Sequence, residues 1–273
     1  MHDPILLPYL DRWHLTPDGA VIITPAARLL PVLQGIMPAM LKVVTLDEAK
    51  RGADLLAWWD GRGAARVYEH DGDALLMERA LGERSLVDFA RSGRDDEATS
   101  ILCETIATLH IPRKAPMPTL TPLDEWFTPL SDVARTHGGL LAHADAVARE
   151  LLAAPRDVLP LHGDIHHENV LDFGKRGWLA IDPHAVFGER SFDYANIFCN
   201  PDLGDPATTI ARNPARFLRR VEIVVTHSGI ERRRLLQWIL AWCGLSAAWF
   251  IGDGANADID LAIAGMVIAE LDC

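Results

Sequence analysis

Leu161-His162-Gly163-Asp164-Ile165-His166-His167-Glu168-Asn169-Val170-Leu171-Asp172 runs through Phe173-Gly174-Lys175-Arg176-Gly177 into Trp178-Leu179-Ala180-Ile181-Asp182-Pro183, and this stretch decides the fold. Residues 169–172 and 178–181 read as two short strands, with Gly174 to Gly177 as the turn between them. Such a hairpin brings Asn169, at the start of one strand, beside Asp182, at the end of the other. An amide oxygen and a carboxylate placed together suit hard, oxygen-seeking Mg²⁺, which in turn binds nucleotide phosphates. Asp164, on the loop before the hairpin, is then free to orient and deprotonate a substrate hydroxyl. The layout is that of a phosphotransfer site.

His162, Asp164 and Asn169 resemble the kinase catalytic-loop pattern H-x-D-x-x-x-x-N followed by a metal-binding aspartate, with Gly163 where protein kinases carry arginine. The glycine and the histidine-rich loop resemble the aminoglycoside phosphotransferase superfamily of small-molecule kinases more than the protein kinases. A second chemistry stays open on the residues alone. His162, Asp164, His166, His167, Asp182 and His184 are a dense set of metal ligands, as a binuclear zinc or iron hydrolase would use. Against it, Asn169 has no required role in such a centre. The plain alternative for His166, His167 and His184 is that they bond loop backbone and shape the site.

The chain has 273 residues, 49% of them hydrophobic, enough for one large domain or two modest ones with a proper core. Its 38 acidic residues against 26 basic ones give a net charge of −12, which disfavours nucleic acid as a partner and suits a cationic small molecule. Cys103, Cys199, Cys243 and Cys273 form no C-x-x-C pair, and the start lacks a basic signal-like region, so a reduced, cytoplasmic protein is expected. Leu235 to Ile251 is apolar but short for a span and interrupted by Gln237, Gly244 and Ser246. It reads as a buried helix, with no membrane role.

The first third reads as a small antiparallel sheet. Apolar segments at 20–24, 29–33 and 37–44 are separated by Pro25, Pro31, Gly35 and Pro38. Lys42, one of four lysines, is the one set inside an apolar strand, where a buried ammonium needs an anionic partner. In a kinase that partner is the nucleotide's phosphates together with a helix glutamate; the plain alternative is an edge-strand lysine that guards against aggregation. A helix is expected from Thr45 to about Trp59. Glu48 can pair with Lys42, or it can close a capping box with Thr45. Residues 65–69 and 74–78 flank Asp71-Gly72, a strong hairpin signal. Met77, Glu78, Arg79 and Ala80 then leave the strand as a hinge whose backbone, in the kinase-like reading, meets the adenine edge.

Helices are expected at 85–91 and 97–110, the second with Ile101, Leu102, Ile106 and Leu109 on one stripe. A proline-rich connector, a surface crossing, leads to helices at 132–135 and 140–154. After the hairpin, Phe192 to Asn196 begins another helix, and 215–227, 231–252 and 258–271 form a helical bundle. The order is an α+β, bilobal protein-kinase-like fold: residues 1–79 as the nucleotide-binding lobe and 80–273 as the catalytic and substrate-binding lobe.

Four stretches narrow the resemblance: Arg51 to Ala64, His162 to Asn169, Trp178 to Pro183, and Cys243 to Trp249. They look like the streptomycin phosphotransferase and hydroxyurea phosphotransferase family, over nearly the whole chain. The resemblance implies transfer of the γ-phosphoryl of ATP to a hydroxyl of an antibiotic. It implies Asp164 as catalytic base, Asn169 and Asp182 as Mg²⁺ ligands, and Lys42 as the phosphate-binding lysine. In kinase-like folds an aspartate in the region of Asp193 holds the catalytic loop's backbone, which gives Asp193 a supporting role.

Two departures stand out. Thr24-Pro25-Ala26-Ala27-Arg28 replaces any glycine-rich loop, and Asp182 is followed by Pro183 and His184 rather than Phe-Gly, with no sign of activation-loop switching. A guanidinium-bearing acceptor calls for carboxylates around it. Asp193, Asp202, Asp205, Asp253, Asp258 and Asp260 lie in regions that could line such a cleft, and Asp193, Asp253 and Asp258 are taken as the substrate candidates, with solvated surface as the plain alternative for each. A non-catalytic nucleotide-binding module is the competing function; retention of Lys42, Asp164, Asn169 and Asp182 together argues against it. A monomer or weak dimer is expected.

Overall fold

The computed structural model describes residues 3–45 and 50–272. The expected helix start over Thr45 to Glu48, and with it Glu48 itself, lies largely outside them. The chain opens with helix α1 (Leu7–Arg12), then strands β1 (Leu15–Pro17), β2 (Ile22–Ile23), β3 (Ala27–Gln34) and β4 (Met37–Val44), helix α2 (Lys50–Trp59), and strands β5 (Val67–Asp71) and β6 (Ala74–Glu78). These strands form one sheet in the order β1-β3-β4-β6-β5, with β2 on β3 and every pairing antiparallel.

Alternation along β4 explains its two faces. Leu41 and Val43 join Leu30, Val32 and Leu76 on one face, which α1 covers with Leu6 and Leu10. Lys42 therefore points to the opposite face, toward the rest of the molecule. Helix α1 was not anticipated: its strand-like flanks and Pro8 hide a single turn and a half. Full burial of a leucine such as Leu6 or Leu10 contributes roughly 1.5–3 kcal/mol, so even this short helix is well anchored.

Helices α3 (Leu86–Arg91, capped by the Ser85 hydroxyl) and α4 (Asp95–Leu109) follow. The proline-rich connector is more than a surface crossing. It contains strand β7 (Thr121–Pro122) and helix α5 (Leu123–Trp126), and Leu123 is buried. Helices α6 (Thr128–His137) and α7 (Gly139–Ala153) lead to strand β8 (Val158–Leu161), hairpin strands β9 (Val170–Asp172) and β10 (Trp178–Ala180), and strand β11 (Val186–Glu189). Strand β11 pairs with β8 antiparallel and with β7 parallel, so the connector helps frame the catalytic loop.

A 3₁₀ segment (Arg190–Phe198) and helices α8 (Pro214–Ser228), α9 (Arg232–Gly252) and α10 (Asp258–Leu271) complete the chain. Helix α9 is long and apolar enough to cross a membrane by composition, yet most of it is buried against α6, α7, α10 and the 3₁₀ segment. The result is the expected α+β architecture, an antiparallel sheet with its helix followed by a mainly helical part. The two are stitched by backbone at the hairpin: the Ala65 amide donates to Ala180 O at 2.9 Å, the Ala180 amide to Gly63 O at 2.9 Å, and the Gly82 amide to Asp172 O at 2.9 Å.

Candidate active site

The expected catalytic hairpin forms, with Val170 opposite Ala180, and the Ile181 amide donates to Asn169 O at 2.9 Å. Asn169 and Asp182 therefore leave the hairpin side by side. Asp182 sits at φ 61°, a backbone conformation few non-glycine residues adopt, and turns its half-exposed carboxylate to the sheet. There it pairs with the ammonium of Lys42, which is buried. The buried lysine does have an anionic partner, and among the described residues it is Asp182.

Asp164 is held on both oxygens. Asn169 Nδ2 donates to its Oδ2 at 2.9 Å and to its backbone O at 2.8 Å. Asn196 Nδ2 donates to its Oδ1 at 2.7 Å. His166 Nε2 and His184 Nε2 each stand 3.6 Å from Oδ2. Burial alone would raise the Asp164 carboxyl, but the two flanking imidazoles outweigh it and hold the group well below the usual carboxylate range. Burial likewise works against a charge on His184, and the nearby Asp164 and Asp182 carboxylates more than offset it, raising that imidazole above its ordinary value.

The loop that carries Asp164 is fixed from behind. Asp193, fully buried, accepts from the amides of His162 at 3.0 Å and Gly163 at 2.8 Å, and from His110 Nε2 at 2.8 Å. Gly163 has φ 85°, and a Cβ there would stand 2.9 Å from a Val186 methyl, so only glycine suits the turn. His162 donates from Nε2 to Ile181 O at 2.8 Å and receives the Asp164 amide on Nδ1 at 3.2 Å; its burial keeps the ring neutral.

A cavity of about 710 Å³ opens beside Asp164. Trp126, Trp242, Trp249 and Phe250 wall it, with Trp126 edge-on to Trp249 at 5.6 Å between ring centroids. Glu125, Glu168 and Asp253 bring acidic groups to the same lining. A second, narrow space lies between Lys42, Gly52, Met77, Asp182 and Pro183. Helix α2 approaches the latter residue closely: a Cβ on Gly52 would fall 2.2 Å from Pro183 O.

The structure redistributes several expected roles. Asp193 does not face the cavity; it is the loop's backbone anchor. Asp258 lies exposed in the first turn of α10, bonded to Asn256 Nδ2 at 2.8 Å, where a carboxylate favours the helix start rather than a ligand. Asp253 alone of the three lines the cavity. Among the hinge residues, Met77 borders the space near Lys42. The Glu78 amide is spent on Arg66 O and its carboxylate on Arg176; Arg79 pairs with Asp18 at 2.7 Å. Ala80 packs beside Phe173 and Leu179.

The alternative metal cluster is not assembled: His162 is committed to backbone, His167 is buried with neither ring nitrogen bonded, and no group of three metal-ligating side chains forms among the described residues. Trp126, Asn196 and Asn200, which the sequence reading did not single out, all line the cavity. An isolated tryptophan in the connector and two asparagines one helical turn apart after Asp193 were the available signals.

A strand lysine meeting the second aspartate of an H-x-D-x-x-x-x-N hairpin defines a protein-kinase-like phosphotransferase, and fold and site place the chain in that class. A solved neighbour agrees in fold: a thermostable variant of aminoglycoside phosphotransferase APH(4)-Ia, in ternary complex with ADP and hygromycin B, superposes with a TM-score of 0.66 over 99% of this chain and 98% of that one at 14% identity. The chain belongs to the aminoglycoside/hydroxyurea antibiotic resistance kinase family, whose model matches residues 12–254. It is 58% identical to streptomycin 3''-kinase of Klebsiella pneumoniae over 96% of this chain and 100% of that protein. It is 31% identical to streptomycin 6-kinase of Streptomyces griseus over 96% of this chain and 86% of the relative.

Proposed function

We propose that this chain transfers the γ-phosphoryl group of ATP to a hydroxyl of a streptomycin-type aminoglycoside and so inactivates it. The observation that carries the reading is Asp164, clamped at the junction between the Lys42–Asp182 pair and the aromatic, acid-lined cavity. Residues 1–79 are assigned to nucleotide binding and 80–273 to catalysis and acceptor binding. Relatives named for streptomycin supply the acceptor class, and a guanidinium-bearing molecule suits walls that pair indole faces with Glu125, Glu168 and Asp253.

Asp164 would orient the acceptor hydroxyl and take its proton as the new O–P bond forms and the bond to the ADP oxygen breaks. Lys42 would exchange Asp182 for the nucleotide's phosphates. Asn169, whose Nδ2 is committed to Asp164, keeps its Oδ1 for a metal ion, and the half-exposed Asp182 carboxylate beside it completes a donor set of hard oxygens that fits Mg²⁺. Bound there, Mg²⁺ would neutralise phosphate charge. The hinge backbone from Met77 to Ala80 is assigned to the adenine edge, with the Glu78 amide excepted. A cytoplasmic monomer or weak dimer suits this role.

The test is ATP-dependent phosphorylation across streptomycin, other aminoglycosides, hydroxyurea and simple sugars, with Asp164→Asn beside the wild type. Turnover on streptomycin that disappears in the variant supports the reading. Transfer to a sugar but to no antibiotic would leave the reaction and remove the substrate class.

A further inference from the structure

The 3₁₀ segment after β11 reaches the catalytic loop twice. Asp193 takes the loop's backbone amides, and three residues on, Asn196 takes the carboxylate of Asp164 itself. Asn196 is buried and borders the acceptor cavity. Its amide has a defined orientation, because its Oδ1 accepts from Asn200 Nδ2 at 2.9 Å and so only its Nδ2 can face Asp164. Asn200 is fixed in turn: its Nδ2 also donates to Asn196 O at 3.1 Å, and its own backbone O accepts from Arg220 Nη1 at 2.6 Å. Arg220 is fully buried and forks onto Asp95, at 2.6 and 3.0 Å.

We propose that Asn196, oriented by Asn200, is a positioning residue for phosphoryl transfer that sets the rotation of the Asp164 carboxylate. The inference rests on the reading of Asp164 as the group that takes the acceptor's proton. A carboxylate held only by Asn169 could turn about its Cβ–Cγ bond. With a second amide on the other oxygen, it presents one fixed pair of lone-pair directions to the cavity. Phosphoryl transfer asks more of orientation than of base strength, because proton loss runs late in a loose transition state. Asn169 serves the metal side, and Asn196 serves the acceptor side alone.

The experiment is steady-state and single-turnover kinetics on streptomycin for Asn196→Ala, Asp164→Asn and the double variant, with labelled ATP and with thermal unfolding as a control of fold. Asn196→Ala is expected to lower kcat at least tenfold while KM for ATP stays within twofold. In the Asp164→Asn background the same change is expected to have less than a twofold effect, because the carboxylate it orients is gone. A residue that only supports the fold would multiply through both backgrounds. Unchanged kcat in Asn196→Ala, or multiplicative losses, overturns the proposal.

Should Asn196→Ala fail to fold, Asn196→Asp keeps the shape and the Asn200 bond and replaces the donor with an acceptor. It is expected to lose kcat at least as strongly, and retained kcat overturns the proposal equally. Undiminished transfer by Asp164→Asn sinks the reading of Asp164 itself; loss there beside an unaffected Asn196→Ala sinks only the relay.

Discussion

The two walls of the cleft are built on opposite plans. On the acceptor side, Asp164 is reached by a continuous set of buried bonds from Asp95 and Arg220 through Asn200 and Asn196, and its loop is pinned by Asp193. On the nucleotide side, Lys42 and the half-exposed Asp182 are paired with each other. The first arrangement holds one geometry. In the proposed function both partners of the second turn to the nucleotide and its metal, so that pair would separate on binding. Under that reading alignment is stored where proton and hydroxyl would meet, and adjustability is left where the phosphates would arrive.

The sharpest way to break this contrast is Asp164→Asn, expected to cut transfer by roughly 10²–10⁴-fold with the thermal midpoint little changed. Next is Arg220→Met, which leaves the buried Asp95 with only the looser Arg216 contact at 3.9 Å. A loss of about 3–5 kcal/mol in denaturant unfolding is expected, and a loss below about 1 kcal/mol would show that the acceptor wall is not anchored as described.

Asp260 is the exception within the helical part. It is fully buried, neither oxygen accepts a well-formed hydrogen bond, and burial raises its carboxyl to about 7 despite nearby Ser246 and Cys199. A raised folded-state value means the folded chain holds a proton the unfolded chain releases. Its stabilising effect is complete below about 4 and is lost as pH rises toward 7. The wild type should therefore lose stability relative to Asp260→Asn over that window, with a slope of at most about 1.4 kcal/mol per pH unit. Parallel stability curves for the two proteins would refute it.

On the nucleotide side, Gly52→Ala pushes a methyl into Pro183 O and should cost about 1–3 kcal/mol, with KM for ATP raised more than KM for the acceptor. The smallest stability effect belongs to Lys42→Met. Breaking a pair whose carboxylate is half exposed should shift unfolding by less than about 1 kcal/mol while transfer collapses.

Much of this contrast was legible in the sequence. The apolar runs on either side of Gly174 to Gly177 identified the hairpin that brings Asn169 beside Asp182, because strand and turn chemistry are local. Lys42 stood out because an ammonium inside an apolar strand demands a partner. The acceptor wall was harder. Trp126 reaches the cavity from a connector whose prolines hide a two-residue strand, and strand β11 could be placed only through its pairing with distant β7 and β8. Asp193 carried two readings, loop anchor by resemblance and substrate carboxylate by charge, and Asp258 only the second, but charge does not say which way a side chain faces. Asp193 turned inward to backbone amides, and Asp258 to a helix start. Asn196 escaped notice because an asparagine beside an aspartate has no meaning until the fold brings Asp164 to it.

The backbone stitches between Gly63, Ala65 and Ala180, and between Gly82 and Asp172, tie the sheet to the catalytic hairpin along the back of the cleft. A chain joined this way holds the catalytic hairpin against the sheet through main-chain atoms, so the seam does not depend on which side chains stand along it.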